Sequence, residues 1–242
     1  MKSLFSYLQK HYSVAQLGDI SWAHAVNNQQ RLQHFTHQAQ TMMLEVDISI
    51  SAEGEAIAAH PPSRTSDLTF AALLEVIKQS TQGLKLDFKD PGLLIPCLTE
   101  LNKAQITQPV LLNADILQGE NASASRFNAL DFINTCNEIY PQGILSLGWT
   151  TSSHSSYSRE NIEAMLKLCQ KLSEVTFPLR AHLLPASWPE ISRLTETDGF
   201  SLTIWNSKPV DQELKAWLRQ HTDPKRTCYD LIDEQKNPVS LS

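Results

Sequence analysis

Two stretches decide the fold: Met43-Leu-Glu-Val-Asp-Ile-Ser-Ile50 and Gly83-Leu-Lys-Leu-Asp-Phe-Lys89. Each is an apolar run interrupted at alternate positions by a charge. Side chains two apart on a strand share a face, so Glu45 and Asp47 project together, and Asp87 does the same from the next strong strand candidate. Charges inside apolar strands are costly unless paired or bound to a metal. Two acids at this spacing repel each other unless a cation lies between them. Three acidic oxygens aimed at one point suit a hard divalent cation, Mg2+ or Ca2+. Gly54 and His60 follow the first stretch, and a histidine beside such a cation can move protons near neutral pH. The combination points to metal-assisted phosphoryl transfer.

Outward from these stretches, β-rich runs alternate with amphipathic helices. Strands are expected at 20–24, 43–50, 83–89, 109–115, 143–149, 175–182, 200–205 and 227–232. Between them, Phe70, Leu73, Leu74 and Ile77 fall on one helical face. Asp90-Pro91 reads as an N-cap and first-turn proline. Helical patterns cover 127–139 and 161–172, Ser187-Trp-Pro-Glu190 has capping-box spacing, and Asp211 caps a helix containing Leu214, Trp217 and Leu218. Eight strands alternating with helices favour an α/β fold, a closed parallel (β/α)8 barrel. The 242 residues suit one such domain, 1–242, with 1–18 as an N-terminal helical extension. No Gly-rich or Pro-rich linker divides the chain.

The net charge of −6 argues against sequence-independent binding of nucleic acid or anionic lipid. The four cysteines, Cys97, Cys136, Cys169 and Cys228, form no C-x-x-C pair, and Cys97 and Cys169 read as buried thiols. No apolar run reaches the length of a signal peptide or membrane span, so a cytoplasmic protein is expected. Nothing in the sequence speaks to oligomeric state.

In such barrels the chemistry gathers where strands end. The expected strand ends carry His24 and Asn27; Glu45 and Asp47; Lys85, Asp87 and Lys89; Asn113 and Asp115; Trp149; Arg180 and His182; Trp205; and Asp230. Asp115 and Asp230 read equally as site acids or helix caps. Trp149 and Trp205 read as packing residues or as walls of a pocket, and Arg180 as a structural ion pair or a phosphate holder. Lys89 shares a face with Asp87, so a simple ion pair is open there. His11, His34, His37, His154 and His221 read as surface residues. The Ser-rich stretch 150–158 reads as a loop able to move.

Glu45-Val-Asp47, Glu53-Gly54 and His60 resemble the glycerophosphodiester phosphodiesterase signature, an E-x-D strand followed by a D-G-like turn and a histidine. With WAHAVN, LEVDI, AHPP, GLKLDFK, LNADIL, SLGWTT and SLTIW, the chain resembles the menorin family, a branch of the same barrel superfamily, from about Ser21 to Asp230. The resemblance implies Glu45, Asp47 and Asp87 as metal ligands, His24 and His60 as catalytic histidines, and Lys89 as the lysine that steadies phosphate. Three departures stand out. His24 is followed by Ala25-Val26 rather than Arg-Gly, His60 by Pro61-Pro62 rather than Asp, and the third ligand is Asp rather than Glu.

The resulting expectation is hydrolysis of a small phosphodiester, such as a glycerophosphodiester or lysophospholipid-like molecule, by histidine acid–base catalysis. Asn113, Trp149, Arg180 and Trp205 would contact the substrate. Two alternatives stand beside it. One is a metal-binding barrel that holds a phosphorylated ligand without turnover. The other is a metal-dependent lyase or aldolase.

Overall fold

The apolar–charged alternation of the two deciding stretches becomes, in a computed structural model describing residues 4–152 and 156–241, the two faces of a barrel wall. The strands are β1 (Trp22–Ala23), β2 (Met43–Ile50), β3 (Ala56–Ala58), β4 (Gly83–Phe88), β5 (Val110–Gln118), β6 (Ile144–Thr150), β7 (Val175–Arg180), β8 (Phe200–Trp205) and β9 (Thr227–Asp230). They run β1-β2-β4-β5-β6-β7-β8-β9 around the sheet, and every neighbouring pair on that path is parallel. The helices are α1 (Leu4–Gln9), α2 (Gln29–Thr36), α3 (Phe70–Ile77), α4 (Leu94–Ala104), α5 (Ala129–Ile139), α6 (Arg159–Cys169), α7 (Leu184–Ile191) and α8 (Gln212–His221). The barrel is nearly closed. β1 and β9 meet at the seam without a ladder between them among the described residues.

Alternation sorts the side chains. Leu44, Val46 and Ile48 of β2, with Leu84, Leu86 and Phe88 of β4, face outward into one continuous core shared with the helices. The inward set differs by level. At the floor, Trp22, Met43, Leu111, Ile144 and Cys228 pack with Leu4, Leu8 and Leu17 in a separate apolar cluster, so α1 seals the amino-terminal end of the barrel. Above it lies a polar belt, where the Ser146 hydroxyl donates to Asn113 Oδ1 (2.6 Å) and Thr176 and Thr203 share a hydrogen bond (2.8 Å). Charged groups fill the carboxyl-terminal level. All four cysteines are buried free thiols.

Helix starts follow local chemistry. Side chains of Asn28, Thr69, Asn128, Ser158 and Asp211 each accept a backbone N–H of the first turn, as N-caps do. Asp90 caps the 3-10 turn Pro91–Leu93 that leads into α4.

Several boundaries differ from the sequence expectation. The first strand is two residues, because Ala25 adopts φ +53° and turns the chain directly after His24. β7 stops at Arg180, where a 3-10 turn begins. β3 was not expected; it pairs antiparallel with the end of β2 and carries the chain toward His60. Ser187 is no capping residue. α7 begins three residues earlier, at Leu184, with Pro185 in its first turn, and the buried Ser187 hydroxyl accepts the Tyr157 N–H. Of the 150–158 stretch, residues 153–155 lie outside the described set, and so does His154.

The floor plug yields a direct expectation. Leu8 is fully buried, and Leu8→Ala should cost about 2–5 kcal/mol, the usual range for a leucine-to-alanine cavity. The denaturation midpoint measures this.

Candidate active site

A cavity of about 780 Å³ opens at the carboxyl ends of the strands, the end at which barrels of this architecture carry their chemistry. Glu45 and Asp47 enter it from β2 and Asp87 from β4, with Asp47 and Asp87 in register. One oxygen of each carboxylate lies within 4.8 Å of the other two. Ligands on opposite sides of a calcium ion are about 4.6–5.2 Å apart, and about 4.2 Å for magnesium, so the spacing fits a hard divalent cation.

The surrounding groups hold these acids in place. The Asn27 amide donates to Asp47 Oδ2 (2.6 Å), and Asn27 Oδ1 accepts the Asp47 N–H (3.0 Å). The Ala25 N–H donates to Glu45 Oε2 (2.7 Å). Lys89 Nζ lies 2.7 Å from Asp87 Oδ2 and 3.0 Å from Asp47 Oδ1. An ammonium thus spans two of the three acids. Burial disfavours its charge, but Asp87 and Asp47 outweigh that and raise its pKa well above the ordinary lysine value.

Across the seam, His24 Nδ1 is 2.9 Å from Asp230 Oδ2 and 3.5 Å from Glu45 Oε2. Lys85 Nζ is 3.8 Å from the same Asp230 oxygen. Burial lowers the imidazole pKa, but the charges of Asp230 and Glu45 prevail and raise it to about 9. Burial also opposes ionisation of Asp230, and His24 overcomes it, keeping that carboxyl below the usual range. Burial opposes ionisation of Asp47 too, and Lys89 and the Asn27 hydrogen bond outweigh it and hold that carboxyl low.

At two acids burial outweighs such support. Burial, then Asp47, pushes Glu45 up to about 7. Burial, then Asp87, pushes Asp115 up to about 7. Five carboxyls therefore face three cationic groups, Lys85, Lys89 and His24, and two of the five resist ionisation.

His24, His60, Lys89, Asn113, Arg180 and Trp205 all line this cavity. Trp149 does not. It shares the outward series of β6 with Leu145 and Leu147, and its ring packs on Tyr157 and Phe177. Trp205 falls in the inward series of β8 with Ser201 and Thr203, and its ring stacks parallel to His24, centroids 6.5 Å apart. Strand parity separates the two tryptophans, and the pairing of β6 with β5 sets which parity faces inward.

Asn27 and Lys85 read from the sequence only as strand-end residues, and Asp115 and Asp230 as site acids or helix caps; the geometry gives each a role. Neither acid caps a helix. Asp230 holds His24, and Asp115 faces the cavity above Gly148, where a Cβ would lie 2.5 Å from Asp115 Oδ1. Arg31, at the cavity edge, was missed. It sits in an α2 pattern with no charge signature.

The fold is that of the glycerophosphodiester phosphodiesterase-like barrels. Its architecture is similar to an inferred glycerophosphodiester phosphodiesterase from Galdieria sulphuraria, with TM-score 0.60, 14% identity, and 86% of this chain and 92% of that one covered. A second solved structure, glycerophosphodiester phosphodiesterase from Thermotoga maritima, has TM-score 0.50, 13% identity, and 82% and 87% covered. At such identities the likeness is one of fold. The Menorin N-terminal domain family matches residues 16–236, and the chain belongs to that family. A human relative, Protein FAM151B, is 33% identical over 242 residues, 90% of this chain and 84% of that protein.

In the metal-free protein, an NMR titration should place the His24 midpoint near 9. Asp230→Asn removes the adjacent negative charge and should lower it. Because folding raises this pKa above the ordinary 6.5, the stability it confers is full below about 6.5 and fades as pH rises through about 9. A midpoint unchanged in Asp230→Asn would refute the assignment.

Proposed function

We propose that this chain is a divalent-cation-dependent phosphodiesterase acting on a small phosphodiester, such as a glycerophosphodiester or a lysophospholipid-like molecule. The carrying observation is the convergence of Glu45, Asp47 and Asp87 in the one cavity that also holds two histidines and Lys89. Glu45, Asp47 and Asp87 would hold the cation, Mg2+ or Ca2+, whose role is to polarise a non-bridging phosphoryl oxygen and offset charge as the phosphorus crowds.

The rest falls to the chain's own side chains. Lys89 takes a phosphate oxygen with the ammonium that otherwise spans Asp47 and Asp87. His60 Nδ1 lies 2.7 Å from the Pro61 carbonyl, which can only accept. The proton therefore sits on Nδ1, and Nε2 offers a lone pair. His24 Nδ1 donates to the Asp230 carboxylate, which favours the doubly protonated ring and leaves Nε2–H to be donated. His60 Nε2 removes the proton from the attacking hydroxyl or water as its oxygen bonds to phosphorus. The bond from phosphorus to the leaving oxygen breaks, and His24 Nε2 supplies that oxygen's proton. A neighbouring hydroxyl on the substrate as attacker gives a cyclic phosphate first.

The test is alcohol release from a panel of glycerophosphodiesters with Mg2+ or Ca2+. Chelation should abolish turnover and restored cation should return it. His24→Ala and His60→Ala should each lower the rate about 100- to 10,000-fold, with thermal unfolding unchanged in His60→Ala and the far-UV circular dichroism of the folded barrel retained in His24→Ala. Cation binding without turnover of any diester would replace this reading with the ligand-holding one, and activity on oxo acids alone would favour a lyase or aldolase.

Asn27→Ala removes the hydrogen bond to the Asp47 carboxylate and the one that accepts the Asp47 backbone N–H. Cation affinity by calorimetry should then fall about 10- to 100-fold, as when other groups that orient metal ligands are removed.

A further inference from the structure

The cavity is electrically two-sided. Glu45, Asp47, Asp87 and Asp115 come from β2, β4 and β5, which are neighbours in the barrel. In the circular order, β7 lies across from β2 and β4, and a cationic rim runs from its end past β9 to the seam. Arg180 ends β7, Lys236 follows β9, and Arg31 leans in from α2. None of these three forms an ion pair with a carboxylate among the described residues. In a chain of net charge −6, three unneutralised cations around one cavity do not follow from composition.

These cations are held for use. Arg180 Nη1 donates to the Ser152 carbonyl (3.0 Å), Nη2 donates to the Ser207 hydroxyl (2.6 Å), and its Cζ lies 5.9 Å from the centre of the Trp205 ring. Arg31 Nη2 donates to the carbonyls of His24 (2.9 Å) and Lys236 (3.2 Å). Neutral acceptors orient these guanidiniums without cancelling their charge. Their Nε atoms are buried and have no hydrogen-bond partner. Ordering donors in advance, at the expense of internal neutralisation, is how anion sites are built.

We propose that the wall of Arg180, Lys236 and Arg31 is a subsite for a second anionic group, so that the preferred ligand is a phosphodiester whose alcohol arm ends in a phosphoryl or carboxylate group. This rests on the phosphodiester reading of the acidic half, where a cation and Lys89 already answer the single charge of the diester. The arm spans the barrel mouth, passes Trp205 and places its terminal charge against β7 and the segment after β9. A neutral or cationic arm would leave those guanidiniums uncompensated.

Calorimetric binding tests this on His60→Ala protein with Mg2+, where turnover does not interfere. The two ligands are glycerophosphoglycerol and the same diester with a terminal phosphoryl group. The doubly anionic ligand should bind about tenfold or more tightly, the scale of a charge-assisted contact. Adding Lys236→Gln or Arg180→Gln should shrink that gap to about threefold or less while the singly charged ligand keeps its affinity. Lys236 is exposed, so its variant remains informative if the part-buried Arg180 variant fails to fold. Equal affinity, no binding of either ligand, or a gap that survives Lys236→Gln overturns the subsite. A preference without turnover in the His60-containing protein overturns the catalytic reading and leaves the subsite standing.

Discussion

The carboxylate of Glu45 is the point on which the rest of the site depends. Its Oε2 receives the Ala25 N–H and faces His24 at 3.5 Å, and its backbone carbonyl accepts the Val26 N–H (2.8 Å). Ala25 sits at φ +53°, a conformation that costs a non-glycine residue roughly 1–2 kcal/mol. Strain of that kind persists where surrounding contacts over-determine it, and Glu45 supplies two of them. One side chain therefore belongs to the candidate metal set and also fixes the turn that aims His24. At the open seam, the contact of His24, just after β1, with Asp230 of β9 spans a gap that no ladder bridges among the described residues.

The interior is graded from one end to the other, and the grading explains how so many charges are tolerated. The floor is apolar and sealed by Leu4, Leu8 and Leu17. The middle belt pairs Asn113 with Ser146 and Thr176 with Thr203. Only the carboxyl-terminal level carries ionisable groups, and there nearly every acid meets an ammonium, an imidazole or an amide. Charged groups removed from water need such partners. Where burial outweighs the partners, at Glu45 and Asp115, the pKa rises to about 7. Both lie in the barrel half that holds the clustered carboxylates, above the apolar floor.

Much of this was legible in the residues. β2 and β8 run over the spans expected of them, because alternation within an apolar run is a strong strand signal. The convergence of Glu45, Asp47 and Asp87 follows from spacing of two on adjacent parallel strands. What escaped depends on registration across the sheet. Whether Trp149 faces in or out turns on whether Ser146 and Gly148 share the interior with Asn113 and Asp115, and pairing decides that. The grip of Asn27 on Asp47 spans 20 residues and a backbone turn. β3 is three residues long and exists through its pairing with β2, so no local period announces it. Ser187 had the right spacing for a cap in the wrong frame, since a 3-10 lead-in and Pro185 had already started the helix.

The departures from the phosphodiesterase signature make sense as a redistribution of charge. Ala25 occupies the place where the signature carries arginine, so no guanidinium leaves the first turn itself. Arg31 returns from the first turn of α2 to donate to the His24 carbonyl of that same turn, while its charge is shared with the loop after β9. Arg180 stands on β7, across the barrel from the clustered carboxylates. Cationic charge near the candidate metal set thus reduces to Lys85, Lys89 and His24, all engaged with carboxylates. The uncommitted cations lie elsewhere on the rim. A barrel with clustered carboxylates on one side and arginines held by neutral acceptors elsewhere on the rim presents a charge pattern unlike that of the signature.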